Sequence, residues 1–118
     1  VDNETISNLG GNKIEDLDSG LKSADYVSLH VPLTKETKNM INKNNLNQMK
    51  GSSILINTAR GGVVNEVDLN DALDSKKIFG AGIDVFEFEP VKTSNPLLKN
   101  SRVILSPHSA TWTNECKI

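Results

Sequence analysis

Three residues of this chain are equipped for chemistry: an arginine, a carboxylate and a histidine, each placed after an apolar run. In the stretch from Met49 to Asn65, Ile54-Leu55-Ile56 leads through Asn57-Thr58-Ala59 to Arg60-Gly61-Gly62, and a helix start follows at Asn65. Arg60 thus falls at the carboxyl end of a parallel strand, where open α/β sheets build their ligand sites. Its planar fork of N–H donors fits a carboxylate with two parallel bonds. Gly61 and Gly62 let the backbone turn and leave room beside it. An acidic group, Asp84, Glu87 and Glu89, follows Ile78 to Ile83, and Pro90 stiffens the chain after Glu89. Ser106-Pro107-His108 follows Arg102 to Leu105. An imidazole titrates near neutrality and suits general acid–base work. A carboxylate beside it would stabilise the imidazolium and hold one tautomer.

Each of these residues has a plainer reading. A lone arginine caps a loop, an acidic run is a solvated face, and a histidine at a strand end bonds a carbonyl. For Arg60 the preceding strand and the following Gly-Gly weigh against the plain reading; His108 taken alone stays open. His30 and Thr37 sit after another apolar run and read equally well as a strand exit. Trp112 and Cys116 read as structural.

The elements that would position these residues come at a βα rhythm. Strands are expected at Tyr26 to Val31, Ser53 to Asn57, Ile78 to Val85 and Arg102 to Leu105, apolar on both faces as in a covered parallel sheet. Helices are expected at Ile14 to Ser23, Lys43 to Met49 and Glu66 to Asp74, the last opened by an acidic capping box of Asn65 and Asp68. Strand starts recur at about 25-residue intervals, which implies right-handed crossovers and an α/β, doubly wound parallel sheet. No Gly-x-Gly-x-x-Gly occurs, so the first half of a dinucleotide-binding sheet is expected to be missing.

Bulk properties narrow the function. The chain has 118 residues, one small domain's worth, and 36% apolar residues, low for a self-sufficient domain. A net charge of −2 gives no cause to expect nucleic acid or an anionic membrane as a partner. No apolar run approaches the ~18–20 residues of a membrane span, and no basic-then-apolar leader opens the chain. The single cysteine fits a reducing, cytoplasmic setting. No metal site is expected. The chain starts without methionine and stops at Cys116-Lys117-Ile118, in what reads as the first turn of a helix. Both ends suggest a piece of a longer protein.

Taken together, the Met49 to Asn65 stretch, Ser28-Leu29-His30-Val31-Pro32-Leu33-Thr34, Gly82-Ile83-Asp84-Val85-Phe86, Glu89-Pro90 and Ser106-Pro107-His108 resemble the D-isomer-specific 2-hydroxyacid dehydrogenases, and among them the D-3-phosphoglycerate dehydrogenase type. The resemblance runs from about Leu9 to the end. It implies a Rossmann-like cofactor domain within a two-domain protein, with residues 1–118 as its later part and the substrate domain and glycine-rich first βαβ unit absent. It implies an oxidoreductase that moves a hydride between NAD(H) and a D-2-hydroxy acid or 2-oxo acid. Arg60 would grip the substrate carboxylate, His108 would exchange a proton with the C2 oxygen, and Glu89 would pair with His108. His30, Val31, Pro32, Thr37, Thr58, Ala59, Arg60, Asp84, His108, Ser109, Ala110 and Thr111 would line the cofactor, with Asp84 on the nicotinamide carboxamide. The acid that holds the adenine ribose would lie at or before residue 1, Asp2 being the nearest candidate. Ser109-Ala110 stands where phosphoglycerate dehydrogenases often carry a glycine pair. Glu89 separates the chain from the formate dehydrogenase branch, which uses glutamine there. The intact protein is expected to be a cytoplasmic homodimer, and residues 1–118 alone to be inactive. An alternative of another class is an NAD(H)-sensing transcriptional corepressor of the same superfamily that uses the sheet as a binding and dimerisation module.

Overall fold

The computed structural model describes residues 1–117. Four parallel strands form one sheet in the order β1-β2-β3-β4: β1 is Tyr26–Leu29, β2 Ile54–Asn57, β3 Gly80–Ile83 and β4 Val103–Leu105. Helix α1 is Asn3–Asn8, α2 Leu17–Ser23, α3 Lys43–Gln48 and α4 Glu66–Asp74, and 3-10 turns cover Pro96–Lys99 and Glu115–Lys117. Each strand is shorter than its apolar run, because the flanking residues leave the ladder to enter the loops. Helix α4 has the bounds its periodicity predicts.

The local signals explain most starts. Asp16 accepts from Asp18 N and Ser19 N and starts α2 there, so the helix omits Ile14, which packs beside Gly20 instead. Asn65 caps α4 through Asp68 N at 3.0 Å. The expected return bond of a capping box is not made: the Asp68 carboxylate accepts from Lys43 N at 2.9 Å and ties α4 to the start of α3. The reciprocal box is at α3, between Asn42 and Asn45. Helix α1 has no counterpart in the sequence reading. Asp2 caps it, accepting from Thr5 N at 2.8 Å and Thr5 Oγ1 at 3.0 Å. Each Asp2 oxygen thus takes one bond within the helix start. The expected terminal helix turn is described through Lys117 as a 3-10 turn, and Ile118 lies outside the described residues.

Because successive strands step in one direction, right-handed crossovers put every connecting helix on the same face of the sheet. There Leu29, Leu55, Ala81 and Ile83 meet Leu46, Leu69, Leu73 and Leu97 in one buried core. The strands were expected to be apolar on both faces, and by sequence they are. Among the described residues the second face has no covering layer: Tyr26 is 71% and Ile104 80% exposed there, with Ile54 and Ile56 half-buried. The chain thus holds one of the two helix layers of a doubly wound sheet.

Candidate active site

Register sets the site. Leu29 pairs with Asn57, Asn57 with Ile83, and Ile83 with Leu105. The next residues of the four strands, His30, Thr58, Asp84 and Ser106, therefore stand in one row just past the carboxyl ends. Parallel sheets bind ligands there because the loops fan out and leave a crevice.

Asp84 organises the right-hand end of this row. It is buried, and both of its oxygens serve the chain itself: Oδ1 accepts from Ser106 Oγ at 2.6 Å and Ser109 N at 2.8 Å, and Oδ2 from Ala110 N at 3.0 Å. A carboxylate offers about four acceptor positions, so one remains. Asp84 thus holds the 106–110 segment in place, a role beyond the one the resemblance implies. Burial pushes its carboxyl up, but the bonds from Ser106, Ser109 and Ala110 outweigh burial and hold it below the usual range. A depressed folded-state value means that the contribution to stability is complete above the unfolded value of about 3.9 and is lost as pH falls through the folded value. Asp84→Asn keeps the shape but aims an amide at donors. It should cost about 1–3 kcal/mol at neutral pH and flatten part of the acid limb of stability. Urea unfolding at pH 7 and pH 3 measures both effects. Wild-type stability at pH 7 would show that Asp84 does not hold the segment.

His108 follows Pro107 with φ +53°, in the left-handed region that β-branched and bulky side chains rarely enter. Its N–H donates to Asp84 O at 2.8 Å, which fixes that turn. Its ring Nδ1 lies 2.7 Å from Glu89 Oε2, so Nδ1–H donates to the carboxylate and Nε2 remains for a ligand. Glu89 Oε1 accepts from Phe86 N at 3.1 Å. The bond from His108, then that from Phe86, holds the Glu89 carboxyl below its usual range. The side chains are 46% and 37% exposed, so the pair adds little to stability; its value is orientation. A concavity of about 360 Å³, lined by Phe86, Glu89, Pro90, Val91, Pro107 and His108, opens beside the pair. Phe86, Pro90, Val91 and Pro107 make its wall apolar and Glu89 and His108 supply the polar groups.

The Arg60 loop is built by Asn57, buried at the end of β2. Asn57 Nδ2 donates to Arg60 O at 3.1 Å, and Oδ1 accepts from Ala59 N at 3.1 Å. Asn57 O accepts from Asp84 N at 3.0 Å. One side chain thus shapes the β2 loop while its backbone joins the β3 end. Gly61 packs directly on the Phe86–Glu87 backbone: a Cβ there would stand 1.8 Å from Phe86 O. That approach sets the Arg60 loop against the turn carrying Glu89. Arg60 itself is exposed, and Nη1 donates to Ala59 O at 2.7 Å.

The loop after β1 joins from the other side. Thr37 Oγ1 donates to Pro32 O at 2.6 Å and accepts from Thr34 N at 2.8 Å. Leu33 reaches Gly62, whose φ is +84°. Asn39 N donates to Gly62 O at 2.7 Å, and Ile41 bridges Val64 in parallel. His30 Nε2 lies 2.8 Å from Ser28 Oγ. The structure therefore brings Asp84, Glu89, His108, Ser109 and Ala110 into one bonded cluster and puts Thr58, Ala59 and Arg60 beside it. His30, Val31, Pro32 and Thr37 form the far wall. Thr111 is exposed beyond the cluster, in the turn closed by Trp112 N on Ser109 O at 2.9 Å.

The sequence reading gave no role to Asn57, Ser106 or Glu66. Asn57 and Ser106 carried a signal, being polar residues that end apolar strands. Glu66 carried none beyond its place at the start of α4.

A dinucleotide fits what is present. The strand ends leave an open row, and the buried Asp84 beside it has one acceptor position left after its three bonds. Exposed hydroxyls at Thr58 and Thr111 supply donors. Among the described residues no helix is long and apolar enough to cross a membrane.

Known proteins share this sequence pattern and fold. Residues 2–110 match the family model described as "D-isomer specific 2-hydroxyacid dehydrogenase, NAD binding domain". A glyoxylate reductase of Korarchaeum cryptofilum is 48% identical over 101 residues, 86% of this chain and 30% of its own. A D-3-phosphoglycerate dehydrogenase of Methanocaldococcus jannaschii is 39% identical over 99% of this chain and 22% of its own. The crystal structure of the apo form of Rhodotorula graminis D-mandelate dehydrogenase superposes with a TM-score of 0.84 at 38% identity, over 92% of this chain and 31% of that one. The chain therefore spans about a third or less of the length of these relatives.

Proposed function

Because the chain belongs to the D-isomer specific 2-hydroxyacid dehydrogenase family, through its NAD-binding domain, we propose that it is the later part of the cofactor domain of an oxidoreductase acting on D-2-hydroxy acids and 2-oxo acids. NAD(H), when bound, supplies or takes up the hydride. The chain's own residues do the rest. Arg60 grips the substrate carboxylate. His108, held through Nδ1 by Glu89, exchanges a proton at Nε2 with the C2 oxygen. Arg60 and the imidazolium meet the charge that develops on that oxygen, where preorganised electrostatics contribute most. His30, Val31, Pro32, Thr37, Thr58, Ala59 and the 108–111 segment would line the cofactor, and Asp84 keeps one acceptor position for it. The substrate domain and the glycine-rich turn belong to other segments of the intact protein.

The observation that carries this reading is the 2.7 Å His108–Glu89 pair at the end of β4, beside the Arg60 loop. The test is NADH oxidation by the full-length protein with glyoxylate, hydroxypyruvate and 3-phosphohydroxypyruvate. Turnover of a 2-oxo acid to the D product supports the reading, and its absence with all three and with larger 2-oxo acids overturns it. The relatives compared above are reductases and dehydrogenases, which lends nothing to a corepressor role. The reading extends to a homodimer in the cytoplasm, to be checked by sedimentation and cell fractionation.

Glu89→Gln is expected to move the upper pH limb of kcat/KM for reduction toward acid. The negative partner favours the charged imidazole, so removing it empties the proton-donor form at lower pH. A limb that stays in place would mean that the two side chains are uncoupled.

A further inference from the structure

Glu66 opens α4, outside the cluster of strand-end residues, yet its carboxylate reaches the turn that carries Glu89. Oε1 accepts from Glu87 N at 2.7 Å, and Oε2 accepts from Asn95 Nδ2. Asn95 is itself committed, since its Oδ1 accepts from Leu97 N at 3.0 Å and caps the Pro96–Lys99 turn. Two consecutive amides are therefore held by two carboxylates: Phe86 N by Glu89 and Glu87 N by Glu66. Phe86 O between them is pressed by Gly61. The turn 86–89 is thus fixed from both of its faces. Only one of those restraints comes from a residue that also meets His108.

From this arrangement we propose that Glu66 is a positioning residue for the acid–base pair: by holding Glu87 N it sets the 86–89 turn so that Glu89 Oε2 meets His108 Nδ1. Asn65 caps the same helix through Asp68 N, so the start of α4 is already anchored and Glu66 can act as a strut. Without it the turn keeps the close approach of Gly61 to Phe86 O and the Phe86 N bond to Glu89, which travels with the turn, but loses the bond that holds Glu87 N. Other charged groups around the pair are Asp84, whose oxygens hold the 106–110 segment, Lys92, whose Nζ lies 3.7 Å from the Phe88 ring centroid, Glu87 on the turn itself and the exposed Arg60 on the neighbouring loop. None of their side chains holds Glu87 N.

The inference rests on the acid–base role proposed for His108, and the experiment separates the two. The His108 Cε1–H resonance of the full-length protein is followed by NMR against pH in wild type, Glu66→Ala, Glu66→Gln and Glu89→Gln. The pH profile of kcat/KM is recorded alongside. Glu66→Ala should displace the His108 curve in the same direction as Glu89→Gln, and by less, because the partner carboxylate is misplaced and not removed. Glu66→Gln keeps an oxygen for Glu87 N, although its NH2 loses the Asn95 bond, and should lie closer to the wild-type curve than Glu66→Ala. Displacement with no turnover in any protein would keep the positioning role and remove the acid–base role. A wild-type titration curve in Glu66→Ala overturns the proposal, as does equal displacement in the Ala and Gln variants. If Glu66→Ala does not fold, Glu66→Asp decides. Its shortened side chain cannot span to Glu87 N, so a wild-type curve there overturns the proposal and a displaced one supports it.

Discussion

Gly61→Ala should separate the two halves of the site and lower stability by more than about 3 kcal/mol, the upper range for forcing atoms into a packed position. The added methyl would stand 1.8 Å from Phe86 O and 2.6 Å from Glu87 N. Those obstacles are backbone, so no side chain can rotate away. Either the Arg60 loop lifts or the 86–89 turn retreats. Both movements part Arg60 from the His108–Glu89 pair, so activity should fall further than the folded fraction does. Gly62→Ala is the control: it strains a positive φ but meets only the end of the Leu33 side chain, at 3.4 Å. Its cost should be about 1 kcal/mol or somewhat more. Chemical denaturation of both variants measures the difference, and equal stabilities would show that the close approach at Gly61 is not a constraint.

Arg60→Lys in the full-length protein should reduce kcat/KM by a factor on the order of 10² or more, about 2.7 kcal/mol of transition-state stabilisation. The charge survives, but an ammonium cannot place two parallel donors on a planar carboxylate. Folding should be little affected. The loop around Arg60 is shaped by Asn57, which bonds the backbone O of residue 60 and the N of Ala59, while the Arg60 side chain adds only an exposed bond from Nη1 to Ala59 O. Steady-state kinetics that match wild type, with unchanged unfolding, would remove Arg60 from the site.

The comparison of sequence and structure divides by range of interaction. Helix α4, the four strands and the residues after each strand were legible because periodicity and strand-end chemistry act over a few positions. Arg60, Glu89 and His108 were legible as candidates for the same reason, each following an apolar run, and the structure bonds His108 to Glu89. Contacts made across the sheet were not legible. That Asp84 spends its oxygens on Ser106, Ser109 and Ala110 depends on β3 lying against β4, which no local pattern states. Glu66 looks like any acidic residue in the first turn of a helix, and its bond to Glu87 N spans 21 positions. The capping box misled because Asp68 had a better donor, Lys43 N, on another helix. The second apolar face was read correctly as apolar and wrongly as covered here. Burial depends on what packs against a strand as well as on the strand.

The strand order has a kinetic meaning. Each strand pairs with the one made just before it, at separations between 22 and 28 positions, as in Ala81 with Val103 and Tyr26 with Ile54. Among the described residues no strand must wait for a partner synthesised much later. During translation β2 can dock on β1 once α3 has formed, and β3 and β4 can follow in turn, each closing a loop of similar modest entropy. Assembly then advances in the direction of synthesis, and the site forms last: His108 enters only when β4 joins, after the Arg60 loop and the Glu89 turn have been locked together at Gly61.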